Sequence, residues 1–396
     1  MILLINQFST PLFVDVVNAF QESGKEEVTY FTGKAEIARM KINPKVRVLR
    51  SVSYSRTNLP SRFFTWMTFT VHVAFHVATA TKPSAIVVVT NPPFAPWVVS
   101  VLAKWRAVPF YLVVYDLYPD VLVQAGLLKT RNPVYRLWQK INSILFARAR
   151  KVFTLSESMK AAVARYLPGA DQDIVVIHNW ADATYIAVPD RHSNPFVVEH
   201  KLDRKLVVLY AGNMGLTHDL ESLMQAAVLL KENDGIHFVF VGNGGKRRRL
   251  EEIRDQHNLG NVLFLPSVAA EDFPYVLAAG DIGVVTLGKG AEGISVPSKT
   301  YVSMAAGLCL LAIAPEESEL ARIVKRYDAG VMIEPNNPVK VAGCILHLNE
   351  NRDVLERLKA CSRQASQHFT SRNAYRYVEE LKGLPASRWP PGGQAG

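Results

Sequence analysis

The sequence predicts an α/β protein made of two doubly wound, Rossmann-like domains that face each other across a cleft. One reason is length, because 396 residues exceed one ordinary core and suggest two domains of about 150–200 residues each. A second reason is a series of apolar, β-branched runs separated by helical patterns, which is typical of parallel sheets covered on both faces. The series restarts near residue 200, as expected for a second domain.

The predicted strands fall into two groups. The first comprises the opening segment MILLINQ and residues 85–90, 110–116, 151–156 and 173–179. The second comprises residues 205–213, 236–244, 262–267, 281–287, 308–314 and 330–335. Proline and polar residues cluster between the groups, so we expect domains at 1–185 and 186–384, the last helix being able to pack back on the first domain. The final residues, 385–396, are expected to be a disordered tail.

Composition and local sequence argue against several classes of protein and of site. The three cysteines, Cys309, Cys344 and Cys361, form no C-x-x-C pair, which argues against a disulfide framework and a structural zinc site. The opening lacks the basic region and cleavage site of a signal peptide, so we expect a cytoplasmic protein. Two uncharged stretches, 63–81 and 83–103, contain threonines, histidines or prolines, and we interpret them as buried elements rather than membrane spans.

Charge is concentrated in the first half. Residues 1–190 hold 21 Lys and Arg against 12 Asp and Glu, whereas residues 191–396 hold 24 against 23. This imbalance favours a polyanionic partner. Nucleic acid and the anionic face of a membrane both remain open on charge alone.

Two glycine-bearing turns follow strands of the second domain. Gly212 and Gly215 precede a helix whose free N–H groups favour an anion such as phosphate, although a plain strand-to-helix turn is the alternative. The second turn leads into Lys246–Arg249, which we interpret as a solvated face. The chain has neither a G-x-x-x-x-G-K-[ST] loop nor an opening G-x-G-x-x-G, which disfavours a nucleoside triphosphatase and a dehydrogenase.

A third turn has the sequence SVPSKTYVSMAAG, residues 295–307. Pro297 stiffens the approach and Ser298 is expected to cap the helix. Lys299 then places a cation over amides that already favour an anion, which is best explained by a bound diphosphate. The alternative is an exposed lysine in the first turn.

These segments, in order, carry a resemblance: YAGNMGLTHDLESL, FVGNGGKRRRLEE, VPSKTYVSMAAG and the series VYDLYPD, NPVYRLW, KVFTLSESM and IVVIHNWAD. Over about residues 85–380 the chain resembles the retaining GT-B glycosyltransferases of family 4. Within them it is most similar to the bacterial branch that builds lipopolysaccharide, capsule and exopolysaccharide. The resemblance implies sugar transfer with retention from a nucleotide-sugar, with a UDP-sugar as the expected donor, and no cofactor or metal. It assigns the donor to the second domain, at Gly212, Asn213, Gly215, His218, Ser295, Ser298 and Lys299.

The chain departs from that family at four positions. Asn213 and His218 stand where an arginine and a lysine commonly grip the diphosphate, and Lys299 is expected to replace part of the missing charge. Ile294 and Val302 stand in place of a glutamate pair, which puts the usual ribose contact in doubt. Glu292 is a nearby carboxylate able to substitute.

The first domain should bind the acceptor. YDLYPD places Asp116 and Asp120 after a buried strand, where a carboxylate can receive the acceptor proton or stabilise an oxocarbenium-like centre. For Asp120, capping of the next helix fits equally well.

An apolar stripe in residues 56–77 contains Phe63, Trp66 and Phe69, with Arg62 beside it. It suggests contact with lipid headgroups or a lipid tail, the alternative being an internal helix that covers the sheet. The segment around Trp138 is a second candidate membrane-facing helix. We therefore expect a lipid-linked saccharide acceptor and a peripheral location on the inner face of the cell membrane.

Two rival hypotheses stay open. A nucleotide-sugar 2-epimerase of similar architecture would need carboxylates and histidines converging on one sugar. A non-enzymatic nucleic-acid-binding protein would fit the basic sequence pI of 9.4, but recognisable binding modules are missing and the cations are scattered, so nucleic acid is not the expected partner. His72 and His76 lack a nearby third ligand for a metal site.

Overall fold

A computed structural model of the chain describes residues 1–24, 26–33, 41–55, 58–167, 173–181, 191–215, 218–291, 293–294 and 296–383. The chain forms two compact units. The amino-terminal unit contains the described residues up to Asn179 and those from Ser371 onward, and the carboxyl-terminal unit contains most of those between. The predicted boundary at 185 and the predicted tail at 385–396 lie outside the described residues and stay predictions.

A parallel sheet forms the centre of the amino-terminal unit. Its seven described strands have the spatial order β3-β2-β1-β4-β5-β6-β7. The strands are β1 (Ile2–Asn6), β2 (Val28–Thr32), β3 (Arg47–Arg50), β4 (Ala85–Val89), β5 (Phe110–Val114), β6 (Val152–Thr154) and β7 (Ile174–Val176). The described helices are α1 (Pro11–Glu22), α2 (Leu59–Thr79), α3 (Ala95–Trp105), α4 (Asp120–Gln124), α5 (Pro133–Arg148), α6 (Glu157–Ala164) and, from the end of the chain, α15 (Arg372–Lys382).

A second parallel sheet forms the carboxyl-terminal unit. Its six described strands have the order β10-β9-β8-β11-β12-β13. The strands are β8 (Leu206–Ala211), β9 (Ile236–Val241), β10 (Val262–Leu265), β11 (Ile282–Thr286), β12 (Cys309–Ile313) and β13 (Gly330–Ile333). The described helices are α7 (Pro195–Glu199), α8 (Glu221–Leu229), α9 (Arg247–His257), α10 (Phe273–Ala279), α11 (Lys299–Ala305), α12 (Glu319–Tyr327), α13 (Pro338–Glu350) and α14 (Arg352–Ser366).

The predicted fold class of two doubly wound, parallel-stranded domains is confirmed. The sequence patterns missed β2 and β3. In β2 the buried residues include two threonines, Thr29 and Thr32, which broke the apolar pattern. β3 begins and ends with exposed arginines, as is common at the edge of a sheet.

The last described helix belongs to the amino-terminal unit. α15 packs against α1, and Lys151 Nζ lies 2.7 Å from Glu380 Oε2. Phe153 of β6 meets Tyr377 of α15 edge-on, with ring centroids 5.0 Å apart. The end of the chain is therefore part of the core that supports the first sheet.

Helix α2 corrects the predicted membrane-facing stripe. Phe69 is fully buried against Phe31, and Trp66 is only 8% exposed. Both residues belong to the interior face of the helix, so the alternative of a helix that covers the sheet is right for them. Phe63 is 54% exposed and remains on the surface.

The opposite face of α2 is apolar as well. Its exposed large apolar residues are Phe63, Phe64, Met67, Val71 and Phe75, and the polar residues His72 and Thr79 are exposed beside them. They are joined on the surface of this unit by exposed apolar side chains of α3 and α5, namely Val101, Trp105, Val134, Leu137 and Ile144. Exposed apolar side chains on neighbouring helices are typical of surfaces that contact a partner or a membrane. Among the described residues, no helix is long and apolar enough to cross a membrane.

Candidate functional site

The carboxyl-terminal unit contains a cavity of about 310 Å³ at the carboxyl end of β8. Ligands of doubly wound sheets bind at such strand ends. Its wall joins the end of β8 to α10 and the first turns of α11. The lining residues are Leu209, Ala211, Gly212, Asn213, Phe273, Leu277, Val284, Ser298, Lys299, Val302, Ser303 and Leu308.

Gly212 lets Lys299 lie against the turn after β8. Its φ is +128°, in the region that favours glycine, and a Cβ there would stand 2.6 Å from Lys299 Cε. Gly242, at the end of β9, has φ +135°, and its Cβ would stand 2.2 Å from the Gly212 carbonyl oxygen. The two turns therefore pack backbone to backbone, which holds the Gly212 turn in place.

Lys299 lies over an aromatic ring in a half-buried position. Its Nζ is 3.6 Å from the centroid of the Tyr210 ring and donates a hydrogen bond to the Asn213 carbonyl at 3.2 Å. Burial lowers the pKa of Lys299 to about 7. Within the described part of the chain, no carboxylate pairs with this ammonium group. The site therefore carries a cation that an entering anion would stabilise.

His218 lies beside Tyr210, and together with Lys299 these residues form a cluster next to the cavity. Tyr210 Oη lies 2.7 Å from the Asn213 carbonyl oxygen and 2.7 Å from His218 Nδ1. Since the hydroxyl proton goes to the carbonyl, His218 Nδ1–H donates to Tyr210 Oη, an assignment inferred from this hydrogen-bond pattern. Burial, followed by the charges of Lys299 and Lys246, lowers the pKa of His218 to about 4. The imidazole is therefore neutral, and with the proton on Nδ1 its Nε2 is a hydrogen-bond acceptor, which suits a hydroxyl group of a ligand better than a phosphate oxygen.

The other predicted donor residues lie nearby or outside the described residues. A Cβ on Gly215 would stand 3.0 Å from Asn213 Nδ2 and 3.4 Å from the His218 ring. Ser298 precedes α11 but makes no capping hydrogen bond, contrary to expectation, because its backbone is already helical. Its side chain instead lines the cavity. Ser295 and Glu292 are not among the described residues, so their roles stay predictions.

The basic run at the start of α9 divides into two parts. Lys246 Nζ donates to the His218 carbonyl at 2.6 Å and pairs with Glu221, while Arg247 donates to the carbonyls of Gly242 and Leu265. These two cations hold the glycine turns. Arg248 and Arg249 are exposed and pair with Glu252, as expected for a solvated face.

In the amino-terminal unit, Asp116 follows β5 at the carboxyl edge of the sheet. Thr90 Oγ1 donates to the Asp116 carbonyl at 3.0 Å and accepts from the Tyr115 N–H at 3.2 Å. Burial raises the pKa of Asp116 to about 6. A recess of about 10 Å³ beside it, with room for a group the size of one water molecule, is lined by residues that include Tyr118, Trp97 and Trp138. The position suits a carboxylate that accepts a hydrogen bond from a substrate hydroxyl.

Asp120 has a different environment. Tyr135 Oη donates to one carboxylate oxygen at 3.0 Å and Tyr166 Oη donates to the other. Both oxygens are thus occupied by neighbouring side chains. This arrangement favours a structural role for Asp120 that joins the start of α4 to α5 and α6.

Several buried polar groups at the same edge of the sheet as Asp116 were not expected from the sequence. Asn6 is the last residue of β1, Gln7 follows it, and Asn91 comes shortly after β4. Asn6 Nδ2, Gln7 Oε1, Asn91 Oδ1, Arg62 Nε and Trp66 Nε1 are buried without a hydrogen-bond partner among the described residues. Since β1, β4 and β5 are neighbours in a parallel sheet, the strand-end residues share one edge. Buried polar groups of this kind are usually satisfied by protein or by ordered water, so these atoms are expected to bind water molecules or a polar ligand.

Aromatic rings connect these groups to the Asp116 pocket. Trp66 stacks on Tyr54 at 6.3 Å and meets Tyr118 edge-on at 6.0 Å. Tyr118 in turn stacks on Trp138 at 6.1 Å. Arg62 lies over Tyr54, with its guanidinium carbon 5.7 Å from the ring centroid. The predicted residues Arg62 and Trp66 therefore face the strand-end region and not the outer surface of α2.

Comparison with known protein families matches the two halves of the chain separately. Residues 13–180 match the model "Glycosyl transferase 4-like domain", and residues 193–368 match "Glycosyl transferases group 1". The probable glycosyltransferase WbjE of Pseudomonas aeruginosa is 28% identical over 256 residues. The putative colanic acid biosynthesis glycosyl transferase WcaI of Escherichia coli K12 is 28% identical over 262 residues. Each alignment spans 65% of this chain and 64% of the relative's own length.

Solved structures share the fold over nearly the whole chain. Anabaena HepE, determined with UDP and glucose, superposes with a TM-score of 0.73 at 15% identity and covers 97% of this chain and 99% of its own. Sucrose-phosphate synthase from Thermosynechococcus elongatus gives 0.72 at 17% identity, covering 96% of this chain and 97% of its own. WaaG, a glycosyltransferase involved in lipopolysaccharide biosynthesis, gives 0.71 at 13% identity, covering 97% of this chain and all of its own.

The solved structures support the GT-B arrangement of two Rossmann-like sheets, and the two domain models match successive halves of this chain. The chain belongs to the glycosyltransferases, with a 4-like domain in its amino-terminal half and a group 1 domain in its carboxyl-terminal half.

Proposed function

We propose that the chain transfers a sugar from a nucleotide-sugar, with UDP-sugars as the first candidates, to a saccharide acceptor with retention. The observation that carries the proposal is the Lys299, Tyr210 and His218 cluster beside the cavity of the carboxyl-terminal unit. Lys299 has been desolvated without an anionic partner in the described part of the chain, and a diphosphate supplies one. HepE, of the same fold, has been determined with UDP.

Lys299 would act on the leaving group. When the bond between the anomeric carbon and the diphosphate breaks, negative charge grows on the diphosphate oxygen. A preorganised cation in a half-buried site stabilises that charge more than water does. The diphosphate also raises the pKa of Lys299, so that the ammonium form is held throughout the reaction. Diphosphate stabilisation is then the main contribution of this unit to catalysis.

Asp116 would act on the acceptor. With a pKa of about 6 it is mainly a carboxylate at neutral pH and can accept a hydrogen bond from the attacking hydroxyl. In retention by attack on the same face, the hydroxyl oxygen bonds to the anomeric carbon and the proton moves to the departing diphosphate oxygen. The rings of Tyr118 and Trp138, which line the pocket beside Asp116, offer apolar faces.

The acceptor is proposed to be a lipid-linked saccharide in the assembly of a cell-surface polysaccharide. WbjE and WcaI are relatives, and the name of WcaI refers to colanic acid biosynthesis. The amino-terminal half carries an excess of nine positive charges and the exposed apolar area of α2, α3 and α5. These features support a peripheral position on the anionic, cytoplasmic face of a membrane.

A nucleotide-sugar 2-epimerase is a weaker candidate. Such a reaction needs carboxylates and histidines that converge on one sugar. The described residues that line the cavity of the carboxyl-terminal unit include no carboxylate and no histidine. This lining favours a transferase.

Lys299→Ala is expected to weaken UDP binding by about 1.5–3 kcal/mol, the range for hydrogen bonds to charged groups, which corresponds to roughly 10- to 150-fold in Kd. Isothermal titration calorimetry measures the change. Arg248→Ala is the matched control, because Arg248 is an exposed cation of the same unit and should leave Kd within about twofold. Equal UDP affinity of the wild type and Lys299→Ala would remove Lys299 from the donor site.

Asp116→Asn keeps the size of the side chain and removes its charge. Sugar transfer into a lipid extract from a polysaccharide-producing bacterium, followed with radiolabelled UDP-sugar, should fall at least about tenfold while UDP affinity changes little. Wild-type activity should rise as the pH passes about 6, since the deprotonated carboxylate is the active form. Near-normal transfer by the Asn variant would reject the role of Asp116 and return attention to Asp120.

The protein should float with anionic vesicles at low salt and partly detach at high salt, because screening weakens attraction beyond a Debye length of about 8 Å at physiological ionic strength. The salt-resistant remainder should disappear in the Phe64→Ser, Val71→Ser double variant, since these side chains are 68% and 60% exposed. A wild-type protein that stays unbound at low salt would contradict membrane docking and favour a water-soluble acceptor.

A further inference from the structure

Helices α2 and α3 leave an apolar groove of about 540 Å³ between them on the surface of the amino-terminal unit. Its walls are Ala74, Phe75 and Ala78 from α2, and Trp97, Val98, Val101 and Leu102 from α3. Ala74 and Ala78 are four residues apart, so they lie on one face of α2. Their small side chains fail to fill the space in front of α3, and this creates the groove.

The groove presents apolar surface to water. Phe75 is 72% exposed and Val101 is 58% exposed, although both stand beside a recess that an apolar molecule would fill. Exposed apolar area of this kind is costly and is covered by a ligand or partner in most proteins that display it. An all-apolar wall gives water few hydrogen-bond partners.

Trp97 connects the groove to the candidate acceptor site. Trp97 lines the groove and also the small recess that contains Asp116. The Trp97 indole N–H donates to Asn142 Oδ1 at 3.2 Å, and Asn142 Nδ2 donates to the Tyr118 carbonyl at 2.6 Å. Trp97 is therefore held between the two sites. It stands in the first turn of α3, which follows β4 and thus begins at the carboxyl edge of the sheet.

We propose that the groove binds the apolar chain of the acceptor, with the acceptor's polar head beside Asp116; this inference rests on the proposed transferase function. A single amphiphile can reach both places because one residue, Trp97, lines the apolar groove and also the small recess that contains Asp116. From Trp97 to Leu102, α3 rises about 7.5 Å. The groove is therefore long enough only for the part of the acceptor's apolar chain that lies next to its polar head. The rest of the chain continues into the bilayer on which the exposed face of α2 rests.

The test separates chain binding from membrane docking. Farnesyl phosphate, kept below its aggregation concentration, is titrated into the full-length protein and followed by calorimetry. Dimethylallyl phosphate, with the same head and a shorter chain, should bind at least tenfold more weakly. Ala78→Phe fills the groove without removing apolar surface, so it should weaken farnesyl phosphate binding at least tenfold and leave vesicle flotation unchanged.

Val71→Ser is the matched control on the same helix. Val71 is exposed but does not line the groove, so its replacement should weaken flotation and leave farnesyl phosphate binding within twofold. The proposal is overturned if the wild type does not bind farnesyl phosphate, if Ala78→Phe binds it as the wild type does, or if both variants weaken it equally. The last result would mean that the prenyl chain contacts the exposed apolar face of α2 in general and not the groove in particular.

Failure of the groove and failure of the transferase hypothesis give different results. UDP binding by the same preparations reports on the carboxyl-terminal unit and does not involve the groove. Intact UDP binding together with unaltered farnesyl phosphate binding by Ala78→Phe rejects the groove alone. If the protein neither binds UDP nor transfers sugar, the transferase hypothesis is rejected, whether or not farnesyl phosphate binds.

Discussion

The account depends on one half-buried cation. Lys299 is partly shielded from water, lies over the Tyr210 ring and donates to the Asn213 carbonyl, and burial has lowered its pKa to about 7. Desolvation without a counter-charge is unfavourable, and binding of an anion reverses it. Several neighbouring residues hold Lys299 and the turn beneath it in place. Gly212 gives the lysine room, Gly242 supports the turn, and Lys246 and Arg247 bind the backbone of the turns so that they approach closely.

The amino-terminal unit combines buried polar groups with aromatic rings. Aromatic rings contributed by α2, α3, α5 and the loop after β5 pack against one another, and buried polar groups lie at the ends of β1 and β4. The combination suits a sugar, which has hydroxyl groups at its rim and apolar faces. Next to it, the apolar faces of α2 and α3 suit a lipid. Under the proposal of a lipid-linked acceptor, the sugar and the lipid would each lie against side chains of matching polarity on this unit.

Local patterns predicted the features that local sequence controls. The strands of the second domain, the Gly212 turn and Lys299 after Pro297 follow from apolar runs and turn residues. Tyr210 was missed because, inside LVVLYAG, it has the appearance of one more core residue. The buried face of α2 was assigned incorrectly in part, since Phe63, Phe64, Val71 and Phe75 make the outer face as apolar as the inner one. The roles of Asn6 and Trp97 depend on strands and helices distant in sequence.

Proton uptake on UDP binding tests the central claim most directly. Calorimetry in buffers of different ionisation enthalpy counts the protons taken up. If the diphosphate meets Lys299, whose pKa is about 7 in the free protein and higher in the complex, binding takes up about half a proton at pH 7 and approaches one at pH 8, and affinity falls as the pH rises. Lys299→Arg, which stays charged, should lose this uptake. No uptake by the wild type and constant affinity from pH 7 to about 8.5 would contradict the account.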